Sequence, residues 1–242
     1  WAKQAPPRSP PSHPTWDGRL SRGLRLQLCE EQGHGDNIMM FRYASWLAAQ
    51  GLEVSVLASP SLQALFSRSV SGIQVVDSKS ASLPDAEAEV PMMALLRLLA
   101  VRPDTILSPS AYLVARPQPR PSTLVQGQFQ VGLAWAGNPA HDDDANRSLP
   151  GFQLLAPLLG IPGIQFHSLL KGSREDECQE FGVAQPAKAF QSFDDTAAFI
   201  QHLDLVVTVD TAIAHLAGAL GKPVWILLPT PAEWRWYPYR ET

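Results

Sequence analysis

Asp36 stands where a predicted strand gives way to a helix, behind the glycine pair Gly33 and Gly35 in EEQGHGDNIMM. A helix start exposes backbone N–H groups and a positive dipole end that suit phosphate, so a fixed carboxylate there would repel a phosphate bound at the same spot. We therefore interpret Asp36 as a general base. A carboxylate within hydrogen-bonding reach of an acceptor hydroxyl accelerates its attack typically ~10²–10⁴-fold.

The turn also has a structural interpretation. Aspartate is among the best N-cap residues, and a cap at Asp36 would stabilise its helix by about 1 kcal/mol without any catalytic role. A third interpretation, the dinucleotide fingerprint G-x-G-x-x-G, fails because its last glycine position is Ile38. A nicotinamide- or flavin-dependent enzyme is therefore disfavoured.

The stretch VTVDTAIAHLAGALGKPVW, residues 207–225, is typical of an anion-binding turn. Asp210 and Thr211 end an apolar strand and open a small-residue helix, with His215 on the same face one turn along. The amides of Thr211 and Ala212 and the Thr211 hydroxyl would bind a diphosphate, and Asp210 would accept hydrogen bonds from the hydroxyls of the sugar or of the ribose. In the structural alternative, Asp210 caps the helix and His215 packs in the fold.

A polar loop, GNPAHDDDANRSLP, occupies residues 137–150 after another predicted strand, and such loops often bind ligands. Its acidic run 142–144 invites a magnesium interpretation. Three consecutive side chains seldom converge on one ion, so we expect a solvated charge run and no metal. Arg147 would supply a planar, permanent positive charge to a leaving diphosphate. Lys171, in LLKGSRE, is a second candidate cation, with an ordinary surface lysine as the alternative.

Alternating strands and helices must position these residues. The predicted strands are 24–30, 54–58, 73–77, 129–137, 164–170, 204–210 and 223–229. The predicted helices are 36–50, 61–70, 92–100, 152–159, 173–181, 195–203 and 211–221. This β-α-β alternation implies α/β units with parallel sheets, which bind ligands at the carboxyl ends of their strands.

Proline-rich segments suggest the domain organisation. Residues 1–18 carry five prolines and no apolar periodicity, which predicts an extended linker. RPQPRPS, residues 116–122, is the best internal boundary. The sequence therefore predicts two doubly wound α/β lobes, an N-terminal lobe over 19–120 and a C-terminal lobe over 121–242.

Composition excludes several classes of function. The 242 residues are 45% hydrophobic, with a net charge of −4 and scattered basic residues, so nucleic acid is not an expected partner. No apolar run approaches the ~20 residues of a membrane span. Two distant cysteines argue against a disulfide framework or a zinc site and favour the cytoplasm. The chain begins at Trp1 without a leader, so we expect it to be part of a longer protein.

Four stretches together resemble a known family: EEQGHGDNIMMFRY, VGLAWAGNPAHDDDANRSLP, FHSLLKG and VVTVDTAIAHLAGALGKPVWILLP. They are similar to the heptosyltransferase-like glycosyltransferases of family 9, in particular the branch in which tetratricopeptide repeats precede the transferase domain. The resemblance covers roughly residues 16–236. It implies a GT-B fold, in which two Rossmann-like lobes with parallel sheets face each other across a cleft. In that fold the acceptor would bind towards the N-terminal lobe, 19–120, and the nucleotide-sugar donor mainly on the C-terminal lobe, 121–242.

The resemblance also implies roles for individual residues. Asp36 aligns with the family's proposed catalytic base, and Gly33 and Gly35 form its acceptor-side loop. Arg147 falls near the basic residue that faces the leaving diphosphate, and Lys171 falls in the following donor loop. The donor-binding block of the family aligns with Asp210, Thr211, Ala212 and His215.

The implied reaction is inverting, metal-independent transfer of a sugar, with heptose as one candidate, from a nucleotide-diphosphate donor such as an ADP-sugar. The acceptor would be a hydroxyl of a glycan, a lipid-linked molecule or a protein, and no cofactor is required. Tetratricopeptide repeats are expected upstream. The alternative is a non-catalytic module that binds a nucleotide or nucleotide-sugar, which binding without turnover would indicate.

Overall fold

The computed structural model describes residues 12–31, 33–102 and 104–236. The chain divides into two compact units, Trp1–Val114 and Ala115–Thr242, so the division falls just before the proline-rich segment 116–122. Each unit contains a four-stranded parallel sheet among its described residues, as the alternation of strands and helices predicts.

In the first unit the strand order is β3-β2-β1-β4. The strands are β1 (Arg25–Cys29), β2 (Glu53–Ala58), β3 (Gln74–Asp77) and β4 (Ala88–Pro91). The helices are α1 (His34–Met40), α2 (Arg42–Ala49), α3 (Pro60–Ser69) and α4 (Ala94–Leu98). Apolar side chains of the central strands, including Leu26, Leu28 and Val56, are fully buried, which drives these short runs into the middle of the sheet.

The predicted helix 36–50 is two helices in the structure, with a break at Phe41. The Phe41 ring stacks on Phe66 of α3 with 3.9 Å between ring centroids. At the break, Arg42 Nε donates a hydrogen bond to the carbonyl of Met39, and Arg42 Nη1 donates one to the carbonyl of Leu107. These tertiary contacts, which the helical periodicity does not show, account for the interruption.

Residues 12–16 lie along β4 at the edge of the sheet, which differs from the linker expected for 1–18. Thr15 forms a parallel bridge with Glu89, and backbone bonds of 2.9 Å join Trp16 N and Pro14 O to Glu89. Trp16 is buried, so this segment contributes to the core despite its prolines. Residues 1–11 lie outside the described residues.

In the second unit the strand order is β6-β5-β7-β8. The strands are β5 (Phe129–Ala134), β6 (Ile164–Ser168), β7 (Leu205–Val209) and β8 (Val224–Leu227). The α-helices are α5 (Asp144–Arg147), α6 (Phe193–Ile200) and α7 (Ala212–Ala219). Short 3₁₀ helices occupy Phe152–Leu154, Ala156–Gly160, Glu175–Phe181, Pro186–Ala189 and Trp234–Trp236.

The predicted α-helices 152–159 and 173–181 are therefore 3₁₀ segments. Pro157 removes a backbone donor from the first. In the second, the Glu177 carboxylate accepts hydrogen bonds from Trp135 Nε1 (2.8 Å) and from the backbone of Phe152 (3.2 Å), so packing on the Trp135 core governs this turn. Both departures come from long-range packing.

The core of the second unit is centred on Trp135, whose ring meets Phe152 edge-on at 4.8 Å. Strand β8 lies at the sheet edge and exposes the side chains of Trp225 and Leu227. None of the helices formed by the described residues has the length and apolar content that a bilayer crossing requires.

Candidate functional site

In the first unit, the turn after β1 begins with Gly33, the N-cap of α1, at φ 93° and ψ 104°. A side chain rarely adopts this backbone conformation, so glycine is required here. Asp36 is the third residue of α1, with Gly35 before it, so Asp36 is not the N-cap that the structural interpretation proposed. Its half-buried carboxylate lies in the first helical turn, where the helix dipole favours negative charge.

The Asp36 carboxylate packs closely on the Gly33 backbone. A Cβ atom added to Gly33 would lie 3.3 Å from Asp36 Oδ2. A side chain at this position would therefore make a tight contact, which the Asp36 carboxylate could relieve only by a shift of a few tenths of an ångström. The acceptor-side role predicted for Gly33 and Gly35 and the base role of Asp36 stay predictions.

Asn37 is a site residue that the sequence interpretation missed. Its side chain is buried and bridges the turn: Oδ1 accepts from Glu31 N at 3.0 Å, while Nδ2 donates to the carbonyls of Glu31 (2.8 Å) and Gly33 (3.2 Å). The signal in the sequence was an asparagine directly before the apolar run 38–40, beside the candidate base.

Two glutamates at the end of β1 connect this turn to the neighbouring strand ends. Glu30 accepts hydrogen bonds from Ser59 N (2.7 Å) after β2 and from Ser78 Oγ (2.6 Å) after β3. Glu31 Oε2 accepts from Met93 N (2.7 Å) after β4. The carboxyl ends of all four strands in this sheet are thereby joined around the Gly33 turn.

In the second unit, Thr211 is the N-cap of α7, and its Oγ1 accepts from Ile213 N at 3.2 Å. The Thr208 hydroxyl donates to the carbonyl of Val209 (2.9 Å), so across the 3.1 Å contact between the two hydroxyls it is Thr211 that donates to Thr208. The Thr211 hydroxyl is thus engaged within the turn. Ala212 is the first residue of α7, where backbone N–H groups point along the helix axis.

Asp210 is buried at the end of β7 and faces Arg147, with 3.8 Å between Asp210 Oδ2 and Arg147 Nη1. The side chains are only 16% (Arg147) and 5% (Asp210) exposed. Arg147 Nε is buried without a hydrogen-bond partner among the described residues. The structure therefore brings the predicted cation to the predicted donor turn, and Asp210 is an ion-pair partner rather than the helix cap.

The loop that carries Arg147 is held by short polar contacts. Ser148 Oγ donates to Asp144 Oδ1 and accepts from Gly137 N, both at 2.8 Å. A Cβ at Gly137 would come within 2.7 Å of Asp144 Oδ1, so it would force the Asp144 carboxylate, which accepts from Ser148, to shift. Arg174 Nη1 donates to the Leu149 carbonyl at the far end of the loop.

The acidic run 142–144 does not converge on one point. Asp144 bonds Ser148, while Asp143 accepts from Asn146 Nδ2 at 2.6 Å. Within the described ranges, no group of three or more His, Cys, Asp or Glu side chains is arranged to hold a metal ion.

Two further candidates have other contacts. The His215 ring, half-buried on α7, stacks on Trp236 with 4.5 Å between centroids and 20° between planes. The exposed Lys171 donates its Nζ hydrogen bond to the carbonyl of Phe190. Their donor-binding roles stay predictions.

Comparisons with known proteins identify a family pattern and a shared fold. Residues 171–241 match the family model described as glycosyltransferase family 9 (heptosyltransferase). The protein FlbA of Caulobacter vibrioides is 28% identical to this chain in an alignment 263 residues long, which covers 92% of this chain and 44% of FlbA. The chain thus spans less than half the length of this curated relative.

Solved heptosyltransferases share the fold. The iron-containing dodecameric heptosyltransferase TibC of enterotoxigenic E. coli, in complex with ADP-D-β-D-heptose, superposes with a TM-score of 0.63 at 12% identity, over 85% of this chain and 58% of TibC. E. coli heptosyltransferase WaaC with ADP-2-deoxy-2-fluoro heptose superposes with a TM-score of 0.54 at 14% identity, over 90% of this chain and 91% of WaaC. A family 9 glycosyltransferase of Veillonella parvula superposes with a TM-score of 0.57 at 13% identity, over 88% of this chain and 82% of that enzyme.

These likenesses confirm the predicted fold class. The chain has an α/β architecture of two parallel four-stranded sheets in its described part, with GT-B heptosyltransferases as structural neighbours. Its residues 171–241, which include Asp210, Thr211 and His215, carry the sequence pattern of glycosyltransferase family 9.

Proposed function

We propose that this chain is the transferase part of an inverting, metal-independent glycosyltransferase that moves a sugar from a nucleotide-diphosphate donor to an acceptor hydroxyl. The observation that carries the proposal is the buried Asp210–Arg147 pair at the start of α7. A guanidinium with an unused buried donor beside a helix N-terminus suits a diphosphate whose negative charge grows as it leaves.

In this mechanism the α7 amides at Thr211 and Ala212 hold the diphosphate, with His215 and Lys171 as further donor contacts. Asp210 orients Arg147 and accepts hydrogen bonds from the donor. The acceptor oxygen attacks the anomeric carbon from the face opposite the diphosphate, its proton passes to Asp36, and the bond between the anomeric carbon and the phosphate oxygen breaks. Preorganised positive charge aimed at the leaving group supplies the largest part of the acceleration.

An ADP-sugar is the proposed donor class, with ADP-heptose as the first candidate, because TibC binds ADP-D-β-D-heptose and WaaC binds an ADP-heptose analogue. The acceptor is a hydroxyl of a glycan, a lipid-linked molecule or a protein. We place the protein in the cytoplasm, where its two buried cysteines stay reduced, with tetratricopeptide repeats upstream in the full-length protein.

A panel of ADP-, UDP- and GDP-sugars tests the proposal by thermal shift and by release of the nucleoside diphosphate. A donor at 100 times its Kd stabilises the folded state by ~2.7 kcal/mol, so the matching nucleotide should stand out. We expect ADP-heptose to be bound and slowly consumed. Binding without any turnover by the full-length protein, with or without cell-derived acceptors, would instead indicate a nucleotide-sugar binding module.

Arg147 supplies the matched test of the donor site. Replacing Arg147 by Ala should weaken ADP binding roughly tenfold or more, because a charge-assisted hydrogen bond contributes about 1.5–3 kcal/mol. Arg120→Ala, at an exposed arginine of the same unit, should leave the affinity unchanged. Calorimetric titration with ADP measures both, and equal affinities for the two variants would contradict the assignment.

A further inference from the structure

The turn that presents Asp36 has no side-chain cap of the usual kind. Its N-cap, Gly33, carries no side chain, and the first helix it opens is only seven residues long. A short helix is marginal by itself, so something else must fix its first turn. That support comes from Asn37, the residue directly after the candidate base.

Asn37 acts on both sides of the turn. Its amide makes three hydrogen bonds, with the N–H and carbonyl of Glu31 before the turn and the carbonyl of Gly33 within it. The side chain is 1% exposed, so water does not compete for these bonds. Buried and fully used amide groups of this kind hold a backbone in one conformation.

The same turn is fastened to the rest of the sheet through Glu31. Its carboxylate accepts from Met93 N at 2.7 Å, at the start of α4. Asn37 therefore links α1 to the ends of β1 and β4 through its hydrogen bonds with Glu31. A displacement of Asn37 would move the start of α1, and Asp36 lies in that first turn between Gly33 and Asn37.

We propose that Asn37 is a positioning residue for the Asp36 carboxylate, and this inference rests on the proposed function. A base works only within about 3 Å of the proton it accepts, and a misplacement of about 1 Å can cost about 10²-fold in rate. Loss of the Asn37 bridge should thus reduce kcat and leave donor binding intact, because the three hydrogen bonds of the Asn37 side chain all serve the turn after β1.

The isosteric variant Asn37→Asp is the sharpest test. It keeps an acceptor for Glu31 N but replaces the Nδ2 donor by an oxygen that faces the carbonyls of Glu31 and Gly33. Asn37→Ala removes all three bonds without adding charge. The matched control is Ile38→Val, at the next residue of the same helix, which is fully buried and whose loss of one methylene destabilises the core without touching the turn.

The reaction to follow is hydrolysis of ADP-heptose by the full-length protein. The water oxygen bonds to the anomeric carbon, the bond to the diphosphate breaks, the water proton passes to Asp36, and ADP is released. We expect kcat to fall about 10- to 100-fold in both Asn37 variants, with KM for ADP-heptose and Kd for ADP unchanged. Ile38→Val should keep the wild-type kcat.

Hydrogen exchange gives a readout that does not depend on activity. The Glu31 amide should exchange faster in both Asn37 variants and at the wild-type rate in Ile38→Val. An unchanged Glu31 exchange rate, or a KM that rises in step with the loss of kcat, would overturn the inference. If neither Asn37 variant folds, Asn37→Ser, which keeps a smaller polar side chain at this position, is measured in the same two assays. A wild-type kcat together with faster exchange of the Glu31 amide would then overturn the inference.

Asp36→Asn, measured in parallel, separates the two levels of the proposal. Wild-type hydrolysis by Asp36→Asn would remove the proposed function and this inference with it. Loss of hydrolysis in Asp36→Asn together with a wild-type kcat in the Asn37 variants would remove only the positioning role.

Discussion

The helix starts after β1 and β7 occupy equivalent places in their sheets but differ in how their charge is balanced. The first turn gathers the carboxylates of Glu30, Glu31 and Asp36, and it begins with a left-handed glycine. The second buries one carboxylate, Asp210, against Arg147 and begins with a threonine that caps its own helix.

This difference shows that a parallel sheet sets the position of a ligand site but not the chemistry of that site. Both sheets direct strand ends and helix N-termini to one edge, which is a general ligand position in such folds. The charge placed there decides the chemistry: an acidic turn suits acceptance of a proton from a neutral alcohol, and a turn with a buried arginine suits a diphosphate. Exchanging the two chemistries would require changing side chains, with no change in topology.

The largest expected effect separates the two turns by function. Asp36→Asn should reduce turnover of the matching donor by about 10²–10⁴-fold, because the amide cannot accept the proton. Donor binding should be unchanged, since the proposed diphosphate contacts are at the second turn. Initial rates and ADP calorimetry measure the two quantities, and a parallel loss of binding would show that the division of roles is wrong.

A smaller expected effect is a loss of stability of the second unit at acidic pH. His167 of β6 is fully buried; its Nε2 donates to Gln130 Oε1 at 2.7 Å, and burial lowers its pKa to about 4. The unfolded chain takes up this proton near pH 6.5, so stability is full above that pH and falls as the pH drops towards 4. The second unit should lose about 3 kcal/mol of unfolding free energy over this range.

Urea unfolding followed by circular dichroism at pH 7 and pH 4.5 measures this loss. His167→Gln retains a donor for Gln130 but does not titrate, so its stability should depend less on pH in this window. The same acid dependence in the variant and the wild type would assign the effect to other groups.

The smallest effect concerns the caps. Thr211→Ala removes the hydrogen bond to Ile213 N and should destabilise the second unit by about 1 kcal/mol. Thr211→Ser should restore most of it. The first turn has no equivalent, because its N-cap is a glycine. Unfolding midpoints in urea measure the change, and equal midpoints for Ala and Thr at this position would show that the cap is not needed.

Much of the fold follows from the sequence because its strands are short apolar runs with clear ends. Six of the seven predicted strands contain an observed strand, and the seventh, 54–58, lies within Glu53–Ala58. The strand that was missed, Ala88–Pro91, contains a glutamate and ends in proline, so local composition argues against it. This segment is a strand because it pairs with β1 in the folded sheet, although its composition does not favour one.

The candidate site was predictable in its charged residues and less so in their supports. Asp36, Asp210 and Arg147 stand out because charged residues after apolar strands need a reason. Asn37 and Ser148 bond partners several residues away through a turn whose shape is set by packing. Helical and strand periodicity cannot reveal such bonds, since the partners are brought together only by the folded loops.

The contacts of Thr15 and Trp16 determine where an expressed form of this protein should begin. A gene trimmed at residue 19, as the proline content would suggest, removes the segment whose backbone pairs with Glu89 and whose serine and histidine amides donate to its carboxylate. The trimmed protein would carry a largely buried acid without its donors and an uncovered strand, both of which favour aggregation during expression. Expression boundaries for this protein therefore belong upstream of Ser12.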